Sequence, residues 1–154
     1  MYAPTPPIRR SNLGFLLAKA SQRWNEQLAE RFNALGYPEV RPSFGSVLVP
    51  LFEQDGLRIV EIAHRSGISK QTLTTLLRQV ENAGLIYRSE DPEDKRAARI
   101  RLSAKGHAFA QIARGVVHEM EQQAIALLED LPAEQLVAWL KRYTDIQEAG
   151  GTDV

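Results

Sequence analysis

Cysteine is absent from the 154 residues. That removes disulfides, cysteine-ligated zinc and thiol redox sensing together. Nor does any run of about 18 apolar residues occur, as a membrane-spanning helix would require, so no membrane association is expected. The opening MYAPTPPIRR holds no apolar stretch of signal-peptide length, and its basic pair follows its few apolar residues. A cytoplasmic protein is the expectation. Histidine is scarce, with three in the chain. His107 and His118 fall about three helical turns apart, too far to share one metal, and His64 stands alone. No metal and no cofactor is expected. There is no glycine-rich phosphate loop, no nucleophile elbow and no persuasive carboxylate pair, which argues against an enzyme. Neither sign of charge dominates, since 19 Lys and Arg balance 19 Asp and Glu. That balance argues against a uniformly basic coating protein.

What charge there is lies unevenly. From His64 to Lys105 nine basic residues stand against five acidic ones, a local net of +4 that the rest of the chain offsets. A basic segment in a neutral chain suits a nucleic-acid-binding face attached to a body with another task.

The first ten residues, with Pro4, Pro6 and Pro7, read as a flexible arm, and 150–154 as a disordered tail. Between them lies one domain, 11–149. Apolar residues at spacings of three and four predict a helix over about 11–36, stopped by Gly36 and Pro38. A short second helix is expected to start at an N-cap, Ser43, and to be kinked or shortened by Pro50. A third helix covers about 59–65 and ends at Gly67. The fourth runs from the N-cap Ser69 to Ala83, with Gly84 as its stop. Strands over 85–88 and 98–102 flank a charged turn and read as a hairpin. Ser103 caps a long helix to about 128, and Pro132 opens a last one. The expected fold is therefore mainly α with a small β-hairpin wing: a helix-turn-helix lobe over about 43–102, between flanking helices over 11–36 and 103–149.

The segment of helix, glycine turn, helix and hairpin carries the chemistry. At about 100° per residue, Leu73, Leu76, Leu77 and Val80 share one side of the fourth helix. Gln71, Thr75, Arg78 and Asn82 fall opposite, with Thr74 at the edge. All of these can hydrogen-bond to bases or phosphates and none is acidic, as a helix entering the major groove requires. Ser69 and Lys70 sit at the helix start, where free N–H groups favour an anion such as a DNA phosphate; Thr72 joins the same group. In the hairpin loop, Lys95 and Arg96 place cations at the tip. An arginine there suits the narrow, negative minor groove of A/T-rich DNA. Asp94 is expected to hold the Arg96 guanidinium in a charge-assisted pair. Double-stranded DNA is the partner these features imply; a lobe that binds protein instead is the alternative.

These residues carry a family resemblance. The motifs Glu61-Ile62-Ala63, Gly67-Ile68-Ser69, Gly84-Leu85-Ile86, Asp91-Pro92 with Asp94 and Arg96, and Leu102-Ser103 followed by Gly106 resemble the winged helix of the MarR (multiple antibiotic resistance regulator) family. The resemblance implies a homodimer whose first and last helices interlace, and repression of transcription from a palindromic operator. It also implies release by a small anionic or aromatic effector. Two positions depart from the family pattern: Thr75 stands where arginine is frequent, and Arg78 where an acid is, so the positive charge has moved one turn along the helix.

The long helix from Ser103 carries more apolar surface than a lone lobe can bury, and at roughly 25 cal/mol per Å² its exposure would cost several kcal/mol. That too points to a homodimer. For an effector, Trp24, Phe44 and Phe52 are the candidate lining residues, although aromatics at helical spacing more often belong to a core.

Overall fold

The computed structural model describes residues 7–149. The tail 150–154 and the first six residues of the expected arm lie outside them. Two compact units divide the chain, one up to Pro42 and one from Ser43.

The first unit is built on helix α1, Leu13–Ala34. Phe32 is its one buried residue, whereas Leu13, Phe15 and Leu16 on its first turns are about half exposed.

At the start of the second unit, Ser43 and Phe44 complete a 3-10 turn, Pro42–Phe44, that leads into α2, Gly45–Glu53. Ser43 does not cap this helix. It lies within the tight turn, and Phe44, at the cap position, sends its side chain into the core. Pro50 sits inside α2, which continues through it to Glu53. Proline lacks the N–H that would bond to the carbonyl four residues back, here that of Ser46. The Ser66 hydroxyl, from the next helix, donates to that Ser46 carbonyl instead and also lies 2.7 Å from the Ile62 carbonyl. A donor twenty residues away thus supplies what the proline withholds.

Next come β1, Leu57–Arg58, and α3, Ile59–Ser66. The Glu61 carboxylate accepts the Arg58 N–H at 2.7 Å. That is half of a capping box, and the other half is barred because a guanidinium has no acceptor. Gly67 ends α3 in the left-handed conformation at φ 64°, and α4, Lys70–Asn82, follows after a two-residue link.

Gly84 turns the chain out of α4. At φ 75° its N–H reaches the Glu81 carbonyl (2.9 Å), and the Leu85 N–H reaches that of Val80 (3.2 Å). This pair of bonds is a Schellman closure, which a residue with a Cβ adopts only at a cost. Leu85 and Val80 are both fully buried, giving the hydrophobic contact that accompanies the motif. Strand β2, Ile86–Glu90, therefore leaves in a fixed direction, and β3, Ala98–Leu102, returns beside it.

The wing is a three-stranded antiparallel sheet in the order β1-β3-β2, where two strands were expected. Leu57 pairs with Ile100 and Arg58 with Arg99 on one edge; Ile86 pairs with Leu102 and Ser89 with Arg99 on the other. Because side chains alternate, Leu57, Ile86, Ile100 and Leu102 form the buried face. Arg58, Ser89, Arg99 and Arg101 share the outer one. The buried face joins Leu48 and Leu51 of α2, Ile62 of α3, and Leu73, Leu77 and Val80 of α4 in one core.

Helix α5, Ala104–Ala126, is capped by Ser103, whose hydroxyl accepts the Gly106 N–H at 3.0 Å. Phe109, Ala113, Val116 and Met120 are buried, and the last turn is exposed. Helix α6, Ala133–Ala149, buries none of its described side chains, and Val137, Trp139, Leu140 and Tyr143 all lie open on it. Among the described residues no helix is long and apolar enough to cross a membrane.

Candidate nucleic-acid interface

The start of α4 is built by Ser69. Its Oγ accepts the Thr72 N–H at 3.2 Å, and the two hydroxyls are 2.9 Å apart. The first helical bond runs from the Leu73 N–H to the Ser69 carbonyl, which leaves the N–H groups of Lys70 and Gln71 without an intrahelical partner.

Along the helix, burial follows the period. Leu73, Leu77 and Val80 are at most 1% exposed, while Gln71, Thr72, Thr74, Thr75, Arg78 and Asn82 are all exposed. The Thr74 hydroxyl donates to the Lys70 carbonyl at 2.9 Å, and that of Thr75 points at the Gln71 carbonyl from 3.5 Å. With the proton directed back along the helix, Thr74 offers chiefly acceptor lone pairs to anything docked on it. Gln71, Arg78 and Asn82 keep their donors.

At the wing tip, the Ala97 N–H bonds to the Asp94 carbonyl at 3.0 Å, closing a turn with Lys95 and Arg96 at its centre. Both are exposed. The Asp94 carboxylate accepts the backbone N–H of Arg96 at 2.9 Å. It thus fixes the bend of the main chain, as Asp does in Asx turns, and the guanidinium contact expected for it is not made. The side chain of Arg96 is left to extend from a rigid tip.

The base of the wing carries a cluster that sequence reasoning missed. Asp91 is 1% exposed, the one buried charged side chain among the described residues. Arg58 Nε donates to its Oδ2 at 2.6 Å, the Glu93 N–H donates to Oδ1 at 2.9 Å, and Arg99 Nε lies 3.4 Å from Oδ1. Glu93 also meets Arg58 at 3.4 Å. The hydrogen bond from Arg58, then that from the Glu93 N–H, lowers the Asp91 carboxyl to about 2 against desolvation. The same contact raises Arg58 above its ordinary value. Asp91-Pro92 had read only as a turn. Nothing local marks its partners, because β1 is two residues long and shows no alternation.

These pairs sort the cations of the lobe. Arg58 and Arg99 face Asp91, Arg65 faces Glu53 and Arg88 faces Glu81. Lys70, Arg78, Lys95 and Arg96 have no carboxylate within ion-pair distance among the described residues. Among the described residues Arg101 also lacks one, but its Nε is held by the Ser89 hydroxyl at 3.0 Å.

Phe44 is 3% exposed in the core, and Phe52 lies against Phe109 with ring centroids 6.4 Å apart. Trp24 lies half-buried on α1, in the other unit. Among the described residues no group of three or more His, Asp or Glu gathers as metal ligands.

Residues 42–98, which span α2 to the start of β3, match the model of the MarR family. Over that segment the chain is similar to MarR-family winged helices. It is 28% identical over 116 residues to an HTH-type transcriptional repressor of Mycobacterium tuberculosis, covering 75% of this chain and 81% of the relative. Among solved structures, a probable transcriptional regulator from Pseudomonas aeruginosa superposes with a TM-score of 0.75 at 27% identity, over 86% of this chain and 97% of that one. The transcriptional repressor CouR, solved on a 23-mer DNA duplex, superposes with a TM-score of 0.69 at 25% identity, over 92% and 99%. The MarR-type signature also gains a physical reading here. Leu102-Ser103 with Gly106 is the seam where α5 meets the end of α4, and Asp91 is the carboxylate that anchors the wing.

Proposed function

We propose that this MarR-family chain is a transcriptional regulator that binds double-stranded DNA through α4 and the wing. The observation that carries the reading is the sorting of charge. Scaffold arginines are neutralised by carboxylates, while Lys70, Arg78, Lys95 and Arg96 stay free on the two elements that a winged helix presents to a duplex. In this reading Ser69, Lys70 and Thr72 hold a phosphate at the α4 N-terminus. Gln71, Thr74, Thr75 and Arg78 face base edges in the major groove. Lys95 meets the backbone, Arg96 enters the minor groove, and Asp94 sets the bend from which Arg96 extends. The chain acts as a regulator and not an enzyme, in the cytoplasm where its DNA is.

The functional form is a homodimer on a palindromic operator. A 17-residue helix whose described side chains are all at least partly exposed, and which lays out Val137, Trp139, Leu140 and Tyr143, has little reason to be stable alone. A second copy gives that face something to cover. Repression, relieved by a small anionic or aromatic effector, completes the proposal; of the aromatic candidates, Trp24 and Phe52 retain surface for it.

Selection of bound duplexes from a random library tests this. The expected product is a palindrome whose half-site centres lie about one helical turn apart or a multiple of it. Recovery of no enriched sequence would refute the reading.

A further inference from the structure

We infer that Arg58 is a positioning residue for DNA recognition: clamped on Asp91, it fixes the wing to the start of α3, so that wing tip and recognition helix meet DNA as one rigid body. The inference rests on the DNA-binding reading above and names a residue outside the surface that reading uses.

Arg58 stands at a junction. Its main chain ends β1 and begins α3, held there by Glu61 at 2.7 Å. Its side chain crosses to the wing loop, with Nε on Asp91 at 2.6 Å and Nη2 on Glu93 at 3.4 Å. Asp91 directly follows the last residue of β2 and precedes Arg96 by five residues. Its second oxygen takes the Glu93 N–H, and the Asp94 carboxylate then takes that of Arg96. A continuous set of short bonds therefore links the first residue of the helix-turn-helix to the main chain of Arg96.

Of the two arginines at Asp91, Arg58 is the stronger tie. Arg99 approaches only to 3.4 Å, and its buried Nε makes no hydrogen bond. A buried carboxylate that loses its best donor is left poorly compensated, so removing Arg58 should free the loop. Two arginines, Asp91 and Glu93 cancel in formal charge, so the cluster gives the duplex little net attraction of its own. Arg58 acts through Arg96.

Two measurements on the full-length protein decide this. In the free protein, Arg58→Ala should speed amide exchange at Arg96 and Ala97 by at least about tenfold, because both N–H groups are bonded within the wing turn. Unchanged exchange there would overturn the inference whatever the protein binds. The second is a double-mutant cycle on the duplex that wild type enriches most strongly. Arg96→Ala removes the contact itself, worth roughly 5- to 150-fold in affinity. Arg58→Ala should cost about tenfold in the wild-type background and less than about twofold in Arg96→Ala, with an unchanged salt slope. Arg58→Lys should restore part of the loss, since it keeps a cation for Asp91. Should Arg58→Ala not fold, Arg58→Lys bears the same criteria at smaller amplitude. Full additivity with Arg96→Ala, or a shallower salt slope that marks Arg58 as a phosphate contact, would overturn the inference. If wild type enriches no duplex while exchange at the tip still responds to Arg58, the DNA reading falls and the clamp remains.

Discussion

Replacing Gly106 by alanine tests how α5 is seated on the lobe. A Cβ at this position would lie 2.0 Å from the Leu85 carbonyl oxygen, 3.1 Å from the Leu85 carbonyl carbon and 3.3 Å from Leu102 Cδ2. The obstacle is backbone, and it cannot swing aside. The Leu85 carbonyl also accepts the Ser103 N–H at 3.0 Å, and Ser103 caps α5 through the N–H of Gly106 itself. Helix α5 and the Leu85 main chain must separate by about 1 Å before the closest tolerated contact is reached, and a close-packed interior resists that. The overpacking costs about 1–3 kcal/mol, the strained Ser103–Leu85 bond about 1 kcal/mol, and a disturbed N-cap about 1 kcal/mol. A loss of roughly 3–5 kcal/mol follows, a large share of the ~5–15 kcal/mol that holds a domain together. At about 2–4 °C per kcal/mol for a chain of this length, the melting midpoint should fall by roughly 10 °C. Calorimetry or circular dichroism at one fixed protein concentration reads it. Gly115, also within α5, has nothing within 4 Å of its own added Cβ. Gly115→Ala should therefore stabilise the helix by about 0.5–1 kcal/mol. If the two substitutions shift the midpoint alike, the seam between Gly106 and Leu85 is not what the geometry makes it.

Two further outcomes follow from single interactions. Ser66→Ala should cost about 1 kcal/mol, because it takes from the Ser46 carbonyl the donor that replaces the one Pro50 lacks; Pro50→Ala restores an N–H four residues along, so in a urea-unfolding cycle it should recover part of the loss, and strict additivity of the two changes would refute the pairing. The Asp91 carboxyl is lowered to about 2 from an ordinary 3.8, so the stabilisation it gives is complete above about pH 4 and is lost as the pH falls towards 2; Asp91→Asn should flatten the acid-stability profile within that window, and a profile as steep as wild type there would show that the carboxylate is not the anchor.

Much of the fold was legible because its signals are local. Gly67 and Gly84 stop α3 and α4 at positive φ, and Ser69 and Ser103 cap α4 and α5 with their own hydroxyls. Each of these acts within one turn of helix, so a short window of residues contains both partners. The buried and open stripes of α4 were readable for the same reason, since a period of 3.6 needs only the helix itself. Where the expectation was incomplete, the deciding partner lay far along the chain. Pro50 is accommodated by a hydroxyl from α3, and β1 exists because residues some forty places later pair with it. Two residues cannot display an alternation. Ser43 failed as a cap because the compact turn around it, and the core's demand for Phe44, outweigh one hydroxyl's preference for the helix end.

The candidate interface was legible in kind but not in its support. Counting nine cations against five acids identifies a basic segment without telling which charges are free, and that depends on pairings across the fold. Asp91 illustrates the difference. In a linear reading it subtracts one from the local charge, next to a proline that explains it as a turn. In the structure its charge is confined with Arg58 and Arg99 at the base of the wing. Glu81 is similarly set against Arg88. The acids of the segment are thus partly used up inside the scaffold, and the excess of positive charge concentrates on α4 and the wing tip. The displaced cation on α4 belongs to this picture. With Thr75 bent back to its own helix and Arg78 without a carboxylate partner among the described residues, the positive charge of α4 sits one turn further from its N-terminus than the family resemblance implies. In the function proposed above, a phosphate at Ser69 and Lys70 and a base edge at Arg78 would lie at opposite ends of the same two turns, with Gln71 and Thr74 between them, and specificity should follow the Arg78 end.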